Sequence, residues 1–345
     1  MRKIAKTIGI NRVATKLAGT VGTLTLLLAF TGNSFAAPKA PKPTSCANAI
    51  TACGCTITQR GTFTVMNDLN ASQGLTKDGS CLEISADHVI LSLRGNALIG
   101  NGSGTGLKIL SGGHDSTVQG TDPTETAQAI INSWKVGIEN DANNVVIELF
   151  RQIGGNQFNQ HGNSGDAIDL VNASNTTVAN FNASFNGGTG INIQGGSNNR
   201  VMNCDSISNV GTGMILANSN TNSIINCTIA ANNGYGIWLN SAGQNQIFTS
   251  SITGNGKIGL LVGCHKEGKC TGNKGSDQNH FSSSGTNGNS GAGVTVEEGS
   301  SDNEITNMSS AGNGGTSDMI DNNPSCDGNN WFNNNFGDAS QSCIH

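Results

Sequence analysis

Gly190-Ile191-Asn192-Ile193, Gly213-Met214-Ile215-Leu216, Gly236-Ile237-Trp238-Leu239 and Gly259-Leu260-Leu261-Val262 are four versions of one phrase, each beginning 23 residues after the last. Inside the phrase, apolar residues alternate with variable ones, the period-two pattern of a strand that turns one face inward. Self-similarity at a fixed period of roughly 20–50 residues marks a solenoid, whose coils bury their apolar faces only against one another.

Outward from this core, the phrase also starts at Gly106, Gly137, Ala167, Gly293 and Ser317, so successive starts differ by 31, 30, 23, 23, 23, 23, 34 and 24 residues. With the start as position zero, Ile168, Ile191, Met214, Ile237 and Leu260 occupy +1, and Leu170, Ile193, Leu216, Leu239 and Val262 occupy +3. A second inward column follows at +11 with Val178, Val201, Ile224 and Ile247. At +14 stand Phe181, Cys204, Cys227 and Ser250, which places Cys204 and Cys227 in neighbouring coils, expected as stacked buried thiols. Asn163, Asn186, Asn209, Asn232, Asn255, Asn289 and Asn313 each precede a start by four residues. Asparagine tolerates left-handed backbone and bonds local backbone groups, so this column predicts a stacked ladder that fixes one corner of every coil. The long intervals after Gly106, Gly137 and Gly259 carry extra loops, and in repeat arrays such loops gather on one face and often bind ligands.

The ends of the chain read differently. Arg2, Lys3, Lys6, Arg12 and Lys16 precede an apolar stretch from Leu17 to Phe30, with small residues at Ser34 and Ala36. That is the order of an export signal, expected over residues 1–36, and the stretch is too short and too interrupted to be a membrane span. A Pro-rich linker is expected over 37–45, an N-terminal cap over 46–87, coils over 88–320 and a disulfide-stapled C-terminal cap over 321–345, plugged by Trp331. All ten cysteines lie beyond the signal, and an exported chain, extracellular or periplasmic, meets oxidising conditions. Cys264 with Cys270 and Cys326 with Cys343 are the expected pairs; pairing among Cys46, Cys53, Cys55 and Cys81 stays open. Loss of the five basic residues of the signal moves the formal net charge from −5 to −10. That excludes a nucleic-acid partner, which needs clustered Lys and Arg. Nothing in the sequence sets the oligomeric state.

The glycine phrases, together with Asn226-Cys227-Thr228-Ile229-Ala230-Ala231-Asn232-Asn233, resemble the repeats of the pectate-lyase-like superfamily over roughly residues 88 to 320. The resemblance implies an all-β, single-stranded right-handed parallel β-helix of about 23 residues per coil with N- and C-terminal caps. That superfamily includes lyases, glycoside hydrolases, epimerases, tailspikes and adhesins, so the fold leaves the chemistry to be argued from a site. The adjacent Asp pair and Gly-His-Gly of polygalacturonases are absent, and Gly113-His114-Asp115 is not the Asp-Pro-His-Asp of mannuronan epimerases.

The outward +2 column reads Lys108, Glu139, Asp169, Asn192, Ile215, Trp238, Leu261 and Thr295. Lys108, Glu139 and Asp169 are the catalytic candidates, with Asp141 and Asp166 nearby. For a lyase, the resemblance implies calcium held by Glu139, Asp141 and Asp169, with Lys108 or Arg151 as the base. For a glycoside hydrolase, Glu139 and Asp169 supply two carboxylates one coil apart. Trp238, Tyr235 and Arg151 are candidates for substrate binding, because aromatic faces stack on sugars, and Ile215, Trp238 and Leu261 are expected to form an exposed apolar run. The expected partner is a polysaccharide or cell-surface glycan. The alternative is a non-catalytic extracellular glycan-binding module, in which the Lys-Glu-Asp series is an ordinary charged surface. His88, His114, His161, His265 and His280 show no metal-ligand spacing and read as loop or surface residues.

Overall fold

Each quoted phrase is a strand, and the strands stack in parallel: Ile191–Gln194 pairs with Met214–Ala217, which pairs in turn with Ile237–Asn240 and Leu260–Val262. The computed structural model describes residues 44–121, 127–155, 162–264 and 275–345. The expected signal, most of the linker, His161, His265 and Cys270 lie outside the described residues. Within them the chain is an all-β parallel solenoid of about 10 turns, with a mean coil of about 25 residues. Its first sheet has 12 strands, from Thr44–Ser45 to Met319–Asp321. A second sheet of 16 strands lies on the other side of each coil. The core between them is a continuous column that includes Ile193, Val201, Leu216, Ile224, Leu239 and Ile247, all fully buried. Each such side chain contributes about 1.5–3 kcal/mol on burial.

The recurring glycine is a matter of space. A Cβ on Gly213 would stand 2.3 Å from Ile229 Cγ2 and 2.7 Å from both Asn232 Nδ2 and the Gly236 carbonyl oxygen. The strand entry therefore presses against the corner of the following coil, and only the smallest residue fits there.

That corner is the expected asparagine ladder. Asn209 donates from its main-chain N–H and from Nδ2 to Asn232 Oδ1, both at 2.9 Å, and Asn232 repeats the pair of bonds to Asn255 Oδ1 at 3.1 and 3.0 Å. The pattern runs from Asn163 through Asn186 to Asn289 and Asn313, and its last acceptor is Asp318 Oδ1. A second ladder, which sequence reading did not pick out, runs through Asn199, Asn222, Asn245, Asn279, Asn303 and Asn329. It ends on Asp321 Oδ2, which also accepts Trp331 Nε1 at 2.9 Å. A third row, Asn180, Asn203 and Asn226, takes φ near 51–55° and bonds side chain to side chain where the strands of the second sheet bend.

Several expectations are corrected. The last coil starts at Asp318, not Ser317, because Met319 pairs with Val294 and the Gly293 N–H donates to the Asp318 carbonyl. Cys204 and Cys227 are a disulfide and not stacked thiols. The parallel ladder sets their Cα atoms 4.6 Å apart, inside the usual disulfide range. The ladders also begin before His88: Cys55–Ile57 pairs with Ser80–Ile84 in the first sheet, and Gly61–Val65 pairs with Val89–Ser92 in the second. The segment expected as a cap thus already forms coils, stapled by Cys46–Cys55 and Cys53–Cys81. Cys326–Cys343 forms as expected, and Trp331 is 1% exposed, plugging the last coil. Cys264 is disulfide-bonded; its expected partner is outside the described residues.

Candidate functional site

The outward column of the first sheet assembles in the register read from the sequence. Lys108 is opposite Glu139, Glu139 opposite Asp169 and Asp169 opposite Asn192, even though the intervening coils are 31 and 30 residues long. The extra residues of those coils therefore lie outside the strands and leave the column intact. Neighbouring strands stand about 4.8 Å apart, so consecutive members of the column are neighbours on one face.

Lys108 Nζ donates to Glu139 Oε1 at 2.7 Å, and both side chains are about four-fifths buried, at 21% and 23% exposure. That bond, opposed by partial burial, holds the Lys108 ammonium above its ordinary value. Glu83, also opposite Lys108 on the preceding coil, extends the row and was missed because its segment read as a cap. It is buried, and its Oε2 accepts the Thr56 hydroxyl at 2.9 Å. The Ser80-Cys81-Leu82-Glu83-Ile84 stretch carried the signal that would have found it.

Asp169 is different in kind. Burial first, then the negative charge of Asp166, pushes its carboxyl up to about 8, so it is a neutral acid at pH 7. Its Oδ1 is buried without a hydrogen-bond partner. Asp166 faces the next coil and accepts the Thr189 N–H. Asp141, just past the strand that carries Glu139, is raised by burial and by the Glu139 charge, and its Oδ1 is likewise buried and unpartnered. The site is thus an ion pair flanked by two carboxyl groups that resist ionisation.

The remaining candidates are dispersed. Arg151 lies in Val146–Ile153 of the second sheet, away from the row. Trp238 and Ile215 are half-buried and Leu261 is fully buried, so the expected exposed apolar run does not exist. Trp238 Nε1 donates to the Gly263 carbonyl at 3.0 Å, and its ring lies 5.6 Å from that of Tyr235. Tyr235 is 8% exposed with Lys257 Nζ 5.0 Å from its centroid, which leaves it little surface for a ligand.

Calcium does not suit this arrangement. Among the described residues no three His, Cys, Asp or Glu side chains gather as metal ligands. The ammonium of Lys108 already occupies Glu139, and Asp169, pushed up to about 8, favours its protonated form, whereas calcium needs ionised oxygen ligands.

The family model for the right-handed β-helix region matches residues 128–274. The chain is a right-handed parallel β-helix. Among solved structures, this β-helix is similar to the A-module of the Azotobacter vinelandii mannuronan C-5 epimerase AlgE4, at 12% identity over 83% of this chain and 85% of the other, with a TM-score of 0.55. It is also similar to the periplasmic alginate epimerase AlgG, at 11% identity, 84% and 77% coverage and a TM-score of 0.50. Pectate lyase Pel9A aligns at 15% identity over 85% and 71% of the two chains, with a TM-score of 0.46. At these identities the likeness is one of fold. A comparison with curated protein sequences yields no match.

Proposed function

We propose that this β-helix acts on a polysaccharide at the Lys108–Glu139–Asp169 row, with Asp169 as general acid and Glu139 as its carboxylate partner. The observation that carries this reading is Asp169 itself: a carboxyl kept protonated near neutral pH, one strand from an ion-paired carboxylate. Two carboxyl groups whose surroundings separate their protonation states are what glycosidic bond cleavage requires. Asp169 gives its proton to the leaving oxygen while Glu139 meets the developing positive charge on the sugar ring; a water molecule then adds to the carbon that bears it and returns a proton to Asp169. Lys108 orients Glu139. Its raised pKa makes it an ammonium, which favours hydrolysis over an elimination in which Lys108 takes up a proton. Fold relatives named as alginate and mannuronan epimerases support a sugar polymer as substrate. The disulfides support a place outside the reducing cytosol, extracellular or periplasmic.

The test is turnover of polygalacturonate, alginate and glycosaminoglycans by the purified chain, with and without calcium. The expected result is release of reducing ends from at least one polymer. Asp169→Asn and Glu139→Gln should each lower kcat by about 10²–10⁴-fold with KM little changed. Absence of turnover on every polymer, or full turnover in the double variant, overturns the proposal. One observation favours a second reading, non-catalytic glycan binding: Lys108 and Glu139 satisfy each other, as a structural ion pair does. Saturable binding without turnover, weakened by Trp238→Ala, identifies that case.

A further inference from the structure

Two histidines that are 26 positions apart in sequence meet on neighbouring coils. The His88 N–H donates to the His114 carbonyl at 3.1 Å, which places the residues side by side where the chain leaves the first sheet. Their rings are 6.5 Å apart, centroid to centroid, at an interplanar angle of 74°. Both side chains reach solvent, at 60% and 47% exposure.

Each ring is held from behind by its own carboxylate. His88 Nδ1 is 3.0 Å from Asp87 Oδ2, and His114 Nδ1 is 2.6 Å from Asp115 Oδ2. The carboxylates are in turn fixed by the coils on either side: Arg60 Nη2 donates to both oxygens of Asp87 at 3.3 and 3.0 Å, and Asn144 Nδ2 donates to Asp115 Oδ1 at 2.9 Å. A carboxylate acceptor places the imidazole proton on Nδ1, which leaves the lone pair of the neutral ring on Nε2. Neither Nε2 has a partner among the described residues.

We propose that His88 and His114 bind one divalent transition-metal ion of the zinc, copper or nickel class through their two Nε2 atoms. Imidazole suits these metals, and a ligating histidine almost always donates its other ring N–H to a carboxylate or carbonyl, the arrangement present here twice. Both exposed rings face the same turn, and a bound ion requires their Nε2 atoms at the roughly 2.0–2.1 Å of a metal–imidazole bond. Water completes the coordination, since no third His, Cys, Asp or Glu joins the pair among the described residues. Hard cations such as calcium and magnesium, which prefer oxygen ligands, are excluded. The bound ion clips two consecutive coils together at a turn, apart from the Lys108 row.

The test is calorimetric titration of the untagged full chain with zinc chloride and, separately, copper(II) chloride at neutral pH. The expected result is saturable binding of one ion. His88→Ala and His114→Ala each abolish it, and Asp115→Asn weakens it by about 10–100-fold. His280→Ala, a control whose ring stands 3.8 Å from Glu304, leaves it unchanged. Circular dichroism verifies that each variant keeps its strands. The proposal is overturned if the wild type shows no saturable binding, if the His88→Ala/His114→Ala double variant binds as the wild type does, or if His280→Ala removes the binding.

Discussion

Asp169 ties stability to pH in a direction opposite to that of most carboxylates. Its folded pKa of about 8 lies above the ordinary 3.8 that it regains on unfolding. Below about pH 4 both states hold the proton, and the site contributes its full share of stability. Between roughly pH 4 and 8 the unfolded chain releases the proton while the folded chain keeps it, so stability falls as pH rises, and it levels off above 8. Thermal melts from pH 4 to 9 should show this decline in the wild type and a flatter curve for Asp169→Asn, which carries no ionisable group there. Equal slopes would show that Asp169 ionises normally. The Lys108, Glu139 and Asp169 column was legible in the sequence because strand register follows from the apolar alternation. The protonation state of Asp169 was not, since it depends on burial and on Asp166 at the same strand entry. The meeting of His88 with His114 was hidden for a related reason: the sequence separates them by a whole coil.

The coil is the unit of this fold, and the glycine phrase identified it because Gly190, Gly213 and Gly236 each press on the following coil. Deleting one whole coil, Gly236 to Ile258, removes 23 residues and no cysteine. Tyr235 then joins Gly259, and Asn232 comes opposite Asn289, which replaces Asn255 as its acceptor. The expected product is folded and cooperative, with a lower denaturant midpoint, since solenoid stability is close to a sum over coils and their interfaces. A 12-residue deletion from Gly236 puts strand against turn and should aggregate. Identical behaviour of the two deletions, by circular dichroism and size-exclusion chromatography, would refute coil-by-coil construction. The second asparagine ladder is harder to read because its distance from the coil start, nine residues at Asn199, Asn222 and Asn245, becomes 20 at Asn279, where the extra residues of that coil intervene, and 10 at Asn303. The register of Cys204 and Cys227 is legible in the sequence, but the approach of their sulfurs is set by the parallel ladder and is not.

At the scale of the whole molecule, the C-terminal end needs closing. At this end, where Met319–Asp321 and Asn330–Phe332 are the last strands at the edges of the two sheets, Trp331 fills the core, Phe336 packs against it and Cys326–Cys343 staples the chain. Ending the chain after Ile320 exposes these edges and removes Asp321, and the expected product is an aggregate by light scattering. A soluble monomer would show that the last coil needs no cover. The two side-chain ladders give this end a further property. Along each ladder the asparagine Oδ1 accepts from the coil before, while its main-chain N–H and one Nδ2 hydrogen donate to the next side-chain oxygen toward the C-terminus and the other Nδ2 hydrogen returns to a carbonyl of the preceding coil, as Asn209 does to Ala183, so the carbonyl dipoles of the ladder align along the column. The positive pole falls where Asp318 and Asp321 sit. There the donors from Asn313, Gly337 and Asp338 outweigh partial burial and hold Asp318 below the usual carboxylate range. The two buried ladders therefore share one electrical direction, and at the final coil each meets a carboxyl oxygen in place of an amide.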